Sequence, residues 1–455
     1  MAARLILTLL FLLVHMGPVK AAAKQNDEAA NQRRFEFGGE YEVILDNQNR
    51  FFLGERKHDN FLRLDQELQL RTSYRHNEWI SLLVEAKVLG ESELYVEGGS
   101  KNNIFWLERG ESWIRLDNVF NRELSLQIGR QNFEEPRRWW WDDDLDSVRL
   151  RYRPHPWLIE FGASQDFVPT STRENFVDPE EKGVFRLLGR LEWWYRENHS
   201  LALFSLYQND RSPTPVVGSL VKRNREDPSD AHLLWGGLRA MGRTALADIG
   251  ELFYWADTAM VAGKEKLLEF DTAGGGYERV VSRQRRRVLG WAIDLGGRWT
   301  TELALRPTFI LGYAVGSGDP NPEKGSDRSF RQTGLQSNDE QFRTYGELLR
   351  PELSNLSIPV LAVQFPLFSN SHVELAYRRF RQIYAAPFIR EGRIETDPNG
   401  VRKNIGQEWM VYFGIKEWKD TEVELVGAVF RAGNAYGSSS GQRAYSLFLK
   451  MTYEF

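Results

Sequence analysis

The last fourteen residues, Gln442–Phe455, read QRAYSLFLKMTYEF and give the first indication of the fold class of the chain. Side chains alternate along an extended strand, so this segment has two different faces. One face carries Leu447, Leu449, Met451, Tyr453 and Phe455, and the other carries Ser446, Phe448, Lys450, Thr452 and Glu454. Such a strand suits a membrane barrel, with lipid on its apolar side and water on its polar side. It equally suits an amphipathic strand of a soluble sheet, so other segments must discriminate between the two.

The beginning of the chain has the pattern of a secretory signal peptide. A basic start at Met1–Arg4 precedes the apolar run Leu5–Val14, and Ala21–Ala23 forms a small-residue cleavage site. The run is too short to span a bilayer, which needs about 20 apolar residues. We therefore predict a signal peptide over residues 1–23, a short lead over 24–33 and a single barrel domain over 34–455.

Composition excludes several classes of function. The chain has no cysteine, which excludes disulfides, thiolate metal sites and cysteine nucleophiles. A net charge of -4 gives no reason to expect nucleic acid as a partner. Aromatic residues make up 13% of the chain, including 15 Trp and 16 Tyr, which suits aromatic girdles at two membrane interfaces. The mean hydropathy is -0.48 and later apolar runs are short, so a membrane crossing would have to use strands.

Segments with period-two patterning recur to the end of the chain and indicate about eighteen strands. Their predicted starts are Phe35, Phe61, Trp79, Ile104, Glu123, Leu145, Trp157, Phe185, Ser200, Ala231, Thr244, Arg287, Leu303, Asn355, His372, Gly406, Glu422 and Gln442. Short gaps such as Pro154–Pro156 and Lys419–Asp420 alternate with long gaps such as Asp166–Val184, Thr258–Gln284 and Gly316–Pro351. Short turns at one end and long loops at the other are typical of a bacterial outer-membrane barrel with both termini in the periplasm.

Charged residues collect on one face of several predicted strands. Within residues 62–71, four leucines alternate with Arg63, Asp65, Glu67 and Arg71, and residues 289–298 separate in the same way. A Lys or Arg at mid-depth on the lipid side costs about 2 to 4 kcal/mol, so the charged face is predicted to line the lumen. Arg130 shares the parity of Ile128, so a bulge or a rim position is expected there.

The cations predicted for the lumen are almost all arginines, whose planar guanidinium groups suit carboxylates of an anionic solute. Parity selects, among others, Arg149, Arg151, Arg190, Arg298 and Arg306. Cross-strand Arg–Glu pairs that only neutralise one another are the competing interpretation. Catalytic signals are weak: the seven histidines are scattered along the chain, so neither an enzyme nor a metal or cofactor site is predicted.

Two loop motifs leave alternatives open. Trp139–Trp141, followed by Asp142–Asp144, lies in the predicted loop after the fifth strand. Aromatic rings beside acids suit sugar faces, whereas an interfacial girdle that anchors the barrel is the alternative. The run RQRRR at Arg283–Arg287 either faces anionic sugars at the mouth or is a solvated junction between loop and strand.

Several motifs resemble the signature of the alginate export porin family. They are GYAVGSGD at Gly312–Asp319, FRQTGLQSN at Phe330–Asn338, YGE at Tyr345–Glu347 and RPELSNL at Arg350–Leu356. Shorter pieces agree in order: GRQ at Gly129–Gln131, PEEK at Pro179–Lys182, IGQEW at Ile405–Trp409, AGNAYG at Ala432–Gly437, and the aromatic C-terminus. The similarity covers most of the chain that follows the signal peptide.

The resemblance implies an eighteen-stranded monomeric barrel that exports an anionic exopolysaccharide through an arginine-lined constriction. By this resemblance Arg71 and Arg109 match pore arginines, Arg130 lies beside another, and Asp142 matches an acidic pore residue. The chain also departs from the family pattern. Asp339 stands where a lumen arginine is expected, with Arg343 the nearest compensating cation, and Glu424 and Val426 replace two further arginines. The long periplasmic turn that plugs the family's pore is reduced to Lys419–Asp420.

We therefore predict an all-β outer-membrane barrel of about eighteen antiparallel strands that exports alginate or a similar anionic polysaccharide. The alternatives are a diffusion or nutrient porin for small anions or oligosaccharides, and a secreted β-rich enzyme acting on glycans. The expected partners are the polysaccharide, outer-membrane lipid, periplasmic polysaccharide synthesis or export proteins, and the barrel assembly machinery. The resemblance implies that this machinery recognises Phe455.

Overall fold

A computed structural model describes residues 34–54, 60–97, 99, 101–120, 123–173, 177, 181–222, 227, 229–321, 325–336 and 343–455. The predicted signal peptide and the lead lie outside these residues, as do Asp339 and the first two residues of PEEK. Among the described residues, no helix has the length and hydropathy needed to cross a membrane.

The described chain is a single antiparallel sheet closed on itself. Its strands are β1 Arg34–Asn49, β2 Phe61–Arg75, β3 Ile80–Val96, β4 Asn103–Leu116, β5 Leu124–Glu134, β6 Asp142–Tyr152, β7 Trp157–Ser164, β8 Val184–Arg196, β9 His199–Asp210, β10 Leu220–Lys222, β11 Ser229–Ala245, β12 Glu251–Gly274, β13 Tyr277–Thr300, β14 Thr308–Gly316, β15 Leu356–Pro366, β16 His372–Gln382, β17 Asn404–Trp418, β18 Thr421–Ala432 and β19 Arg443–Glu454. Each strand pairs with its neighbours in sequence, except that β9 pairs with β11 and the short β10 attaches to the edge of β13. The wall therefore has eighteen strands, and the predicted fold class is confirmed.

The C-terminal strand closes the barrel against the first strand. Tyr453 lies opposite Tyr41 and Leu449 opposite Leu45 in a ten-residue antiparallel register between β19 and β1. Phe455 extends the pairing, because its backbone N–H and C=O both bond to Gly39 at 3.0 Å. The terminal segment is thus a strand, as its alternation predicted, and it closes the barrel.

The two ends of the barrel differ as predicted. Both termini and the short connections lie at one end, which we call the turn end, and the long connections lie at the other, the loop end. Most strands begin within three residues of their predicted starts. Two starts were placed too early, at Thr244 and Leu303, because short turns at residues 246–250 and 301–307 precede β12 and β14.

The predicted loop Thr258–Gln284 was wrong. These residues belong to β12 and β13, two 24-residue strands that form one long hairpin. Its tip is Gly274–Gly276, three glycines with φ of 83°, 64° and 78°, a backbone region that glycine tolerates best. Above the lipid neither face of a hairpin must be apolar, so the alternation that reveals other strands is missing in this part of the sequence.

Lipid-facing and lumen-facing residues separate along the wall. On β13, Leu289 and Trp291 are 52% and 46% exposed, whereas the alternate residues Ala292 and Asp294 are 1% and 4% exposed. Aromatic rings cluster outside at the turn end, where Trp157 stacks on Trp193 and Trp299 contacts Phe309. The outward apolar band, which we call the belt, therefore has an aromatic border as expected for a membrane interface.

Candidate functional site

Two chain segments fold into the barrel from the loop end: residues 135–141, between β5 and β6, and the long connection between β14 and β15. The three tryptophans of the first segment are buried, Trp140 being 1% exposed. Trp140 stacks on Phe204 of β9 at a ring-centroid distance of 5.1 Å. The expectation of an interfacial girdle was therefore wrong, because the three rings form the core of a plug inside the barrel. Trp140 and Trp141 offer no sugar platform either, since both are fully buried, whereas Trp139 also borders a cavity of the lumen.

A buried carboxylate ties the first segment to the wall. Glu135 accepts hydrogen bonds from the backbone N–H groups of Arg137 and Trp140, both at 2.8 Å, and is paired with Arg239 of β11. Burial opposes its ionisation, but the Arg239 guanidinium and these N–H groups hold the pKa of the Glu135 carboxyl below its usual range. The charged form therefore fixes the segment in place.

The second segment is held by another buried acid. Glu408 of β17 accepts the backbone N–H groups of Glu347 and Leu348 at 2.8 and 2.9 Å. Tyr345 accepts a hydrogen bond from the indole N–H of Trp139 and donates one to Asp294 of β13 at 3.0 Å. The two segments and the wall thus form one hydrogen-bonded unit that narrows the lumen.

Two adjoining cavities lie beside this plug inside the barrel. The first, about 510 Å³, is lined by Glu134, Pro136, Arg137, Arg138, Trp139, Asp142, Gln332, Gln336, Arg343, Thr344, Tyr345, Tyr412 and Glu424. The second, about 350 Å³, is lined by Arg298, Arg343, Glu347, Gln364, His372, Glu374, Arg378, Met410 and Tyr412. Arg343 and Tyr412 belong to both, so they lie where the two cavities adjoin.

Arg343 is held between two carboxylates at this junction. Its Nε lies 3.0 Å from Glu347, and a terminal nitrogen lies 3.5 Å from Glu424 of β18. The Arg343 side chain is 19% exposed and stacks over the Phe448 ring at 4.9 Å. Arg138 is more open, at 44% exposure, and pairs with Glu134 and Asp142 at 2.9 and 3.4 Å. Both guanidinium groups keep surface towards the cavity.

Three predicted lumen arginines lie in a buried network instead. Arg149 and Arg151 of β6 share the carboxylate of Glu160 on β7, and Arg190 pairs with Glu192 on β8. Only 2% of the Arg149 side chain is exposed. These side chains point inward as parity predicted. Glu160 and Glu192 neutralise their charges, and the three arginines do not line the two cavities.

Arg109 and Arg130 lie where β4 and β5 separate. The two strands pair only over Ser112–Leu116, and above that point residues 170–172 bond to β4 instead. Arg109 forms a bidentate pair with Asp146 of β6, at 2.9 and 2.8 Å, and Arg130 lies opposite Asp146 in the β5–β6 register. Arg130 has the outward parity of the exposed Ile128, and neither Arg109 nor Arg130 lines the two cavities.

The remaining predicted residues divide between the lumen and the turn end. Arg71 faces inward from β2 and pairs with Glu85 at 2.9 Å while half exposed, and Arg298 lines the smaller cavity. Arg306 was wrongly placed in the lumen, because it lies in the turn before β14 and is paired with Glu302 at 3.4 Å. Asp142, Arg343 and Glu424 come together on the larger cavity.

Sequence reasoning missed Arg137 and Arg138 at the larger cavity. Arg137 binds Asp294 at 3.1 Å and also pairs with Asp257. The signal was the run PRRWWW itself: three consecutive tryptophans cannot all be solvated, so their segment had to fold inward and carry the adjacent arginines with it.

Comparisons with known proteins agree with this architecture. Two relatives carry the name alginate production protein AlgE. The one from Pseudomonas aeruginosa is 25% identical over 357 residues, which cover 72% of this chain and 70% of the relative. The one from Azotobacter vinelandii is 23% identical over 372 residues, covering 73% and 74%.

Solved outer-membrane porins share the fold. The crystal structure of Acinetobacter baumannii OccAB1 superposes with a TM-score of 0.57 at 9% identity, covering 92% of this chain and 97% of that one. Pseudomonas aeruginosa OccK2 (OpdF) in complex with glucuronate gives 0.54 at 12% identity, covering 92% and 98%. At such identities the likeness establishes the fold alone, an outer-membrane β-barrel.

The family itself is established by sequence. Residues 92–450 match the alginate export family, a span of well over half of the chain. The resemblance seen in the motifs is thereby confirmed, and the expectation that the protein is not an enzyme agrees with it. This outer-membrane barrel belongs to the alginate export family, a family of export channels.

Proposed function

We propose that this barrel is a passive conduit through which an anionic, uronate-rich exopolysaccharide such as alginate leaves the cell. The observation that carries the proposal is Arg343, partly exposed where the two lumen cavities adjoin and only 3.5 Å from Glu424. A sugar carboxylate can replace Glu424 as the partner of this guanidinium with little rearrangement, since a planar fork accepts either carboxylate.

Mixed charge in the lining suits a moving polymer. Arg138 and Arg343 attract carboxylates, while Glu134, Asp142 and Glu424 on the same cavity compete for both cations. Competition keeps each contact short-lived, which conduction requires. The chain has no nucleotide-binding motif of its own, so synthesis of the polymer or its gradient supplies the drive.

Orientation and assembly complete the proposal. The signal peptide over residues 1–23 directs export, the turn end faces the periplasm, and Phe455 marks the chain for the barrel assembly machinery. The turn at Lys419–Asp420 is only two residues long, so closure from the periplasmic side falls to a separate protein of polysaccharide synthesis or export. The barrel acts as a monomer.

Substituting each partner of the Arg343–Glu424 ion pair in turn tests the proposed conduit. In planar bilayers, Arg343→Gln should raise the polyuronate concentration that half-blocks the current by about tenfold, the loss of one charge-assisted contact. The Glu424→Gln variant removes one of the two carboxylate partners of Arg343 and should strengthen block and shift selectivity towards anions. Arg306→Gln, which changes an exposed arginine in a turn, is the matched control and should leave block unchanged.

Indifference of the wild-type current to polyuronate would refute export of a polyanion. If the same channels then passed small uronates with anion selectivity, the result would favour a nutrient porin. A solved structure with this fold contains glucuronate, which makes that monosaccharide the appropriate small solute for the comparison.

A further inference from the structure

The run Arg283–Arg287 places three arginines on the outer surface of the barrel. Arg283, Arg285 and Arg287 are all exposed and share the parity of Leu289 and Trp291, which belong to the belt. The intervening Arg286 lies on the other face, where it lines a small pocket among the loops. Neither alternative weighed for this run describes it: the three arginines neither face the pore nor lie in a loop, because β13 extends past the lipid.

These cations begin where the belt ends. Ten residues separate Leu289 from Trp299 on the outer face of β13. At about 3.3 Å per residue and a tilt of about 40°, they cover about 25 Å, the height of an outer-membrane apolar band. Arg287 is the next outward residue above Leu289, so its guanidinium lies at the level of lipid headgroups.

Neighbouring strands have the same transition at the same height. In the β12–β13 register, exposed Ala262 lies opposite Leu289 and exposed Lys264 lies opposite Arg287. In the β11–β12 register, His232 lies opposite Lys264, and the exposed Leu234 lies just below it. Lys264 and Arg287 therefore lie side by side as two cations on the outer wall, directly above the belt.

Among the described residues, three of these cations lack a carboxylate partner. Across the part of the chain that the structure describes, no carboxylate lies within 4.0 Å of the charged nitrogens of Lys264, Arg285 or Arg287. By contrast, Lys266, two residues along, is bound to Asp230 at 2.9 Å. Opposed like charges on adjacent strands repel, so Lys264 and Arg287 favour an anion between them.

We propose that Lys264, Arg285 and Arg287 bind the phosphate groups of an acylated glycolipid in the outer leaflet, whose acyl chains lie along Met260, Leu289 and Trp291. Arginine suits this ligand, because its fork matches phosphate oxygens. The exported polymer is not the ligand, since the β-sheet wall separates these side chains from the lumen. The site does not depend on the proposed export function.

Lipid titration tests the site. Purified barrel in detergent is titrated with hexa-acylated, bisphosphorylated lipid A, and bound lipid is counted by native mass spectrometry. The double variant Arg285→Gln/Arg287→Gln should bind about tenfold more weakly, the equivalent of one lost charge-assisted contact. Wild-type barrel should bind dephosphorylated lipid A about tenfold more weakly than it binds the bisphosphorylated lipid. Arg306→Gln, at the turn end, should bind as wild type does.

Two further measurements separate the possible outcomes. Arg285→Lys/Arg287→Lys keeps the charge and should retain part of the affinity, and heat-modifiable gel migration verifies that each variant is folded. Equal binding of phosphorylated and dephosphorylated lipid A by the wild type would overturn the proposal, and that comparison requires no variant. Weaker polyuronate block in the glutamine variant with unchanged lipid binding would also overturn it, because the arginines would then contact the polymer.

Discussion

At the scale of single residues, the seam between β1 and β19 depends on the missing side chain of Gly39. A Cβ atom at this position would clash with the backbone oxygen of Gln69 and with the Phe455 ring. The Phe455 backbone forms two hydrogen bonds with Gly39, so a side chain there would displace the last pairing of the closing strand. Gly427, on β18, has open space around it and serves as a comparison.

Gly39→Val should therefore impair closure, while Gly427→Val should not. Overpacking of this kind costs about 1 to 3 kcal/mol. We expect less heat-modifiable barrel in outer-membrane fractions for Gly39→Val, with normal single-channel conductance in the molecules that insert. Equal yields of the two variants would show that the Phe455 ring moves aside without cost.

Single residues also show how much of the candidate site could be predicted from the sequence. Parity placed Arg149 and Arg298 correctly on the inner face, because a charge in the belt is costly. Parity cannot say whether an inward arginine meets a carboxylate of the protein or faces open water. Arg149 meets Glu160 and is buried, whereas Arg298 lines a cavity, and only three-dimensional packing separates these cases.

At the scale of elements, the segment between β14 and β15 is held partly by the buried carboxyl group of Glu352. It lies 3.3 Å from Arg390 and accepts the backbone N–H of Gln332. Burial, only partly offset by Arg390 and Arg331, raises the pKa of Glu352 to about 7. At a pH between the ordinary carboxyl pKa and about 7, Glu352 therefore holds a proton when the segment is docked and has lost it when the segment is undocked.

Docking should accordingly weaken as pH rises. The contribution of Glu352 is fully present below its ordinary pKa and is lost as pH passes through about 7. Between pH 6 and pH 8 the open population should rise about tenfold. Hydrogen exchange over residues 343–355, corrected for intrinsic exchange rates, measures this open population. Glu352→Gln should abolish this dependence, and Glu395→Gln, which changes an exposed carboxylate, should keep it. A pH-independent wild type would contradict the assignment.

Elements also show where sequence patterning stops being informative. Strand positions were predicted well wherever the strand crosses lipid, since lipid on one side and water on the other impose alternation. The upper halves of β12 and β13 have no such constraint and were mistaken for a loop. The inward fold of residues 135–141 was missed because it depends on contacts with distant strands such as β9 and β11.

At the scale of the whole molecule, the plug and the cavities share the lumen. The plug packs against inner faces from β6 round to β19, where Leu145, Phe204, Trp235 and Phe448 are buried. The two cavities beside it are lined by residues of β16–β18, among them Tyr412 and Glu424. Substitutions near Tyr412 should therefore affect flux more than substitutions on inner faces that the plug covers.

The tip of the β12–β13 hairpin is a suitable site for labelling the protein on living cells. About twelve residues on each strand extend above the belt, and a side chain built on Gly274, Gly275 or Gly276 would touch nothing within 4 Å. An epitope tag inserted after Gly275 should leave folding and conductance intact. Antibody should label intact cells carrying it, and labelling only after permeabilisation would reverse the orientation assigned to the barrel. The same position could display a foreign peptide on the cell surface.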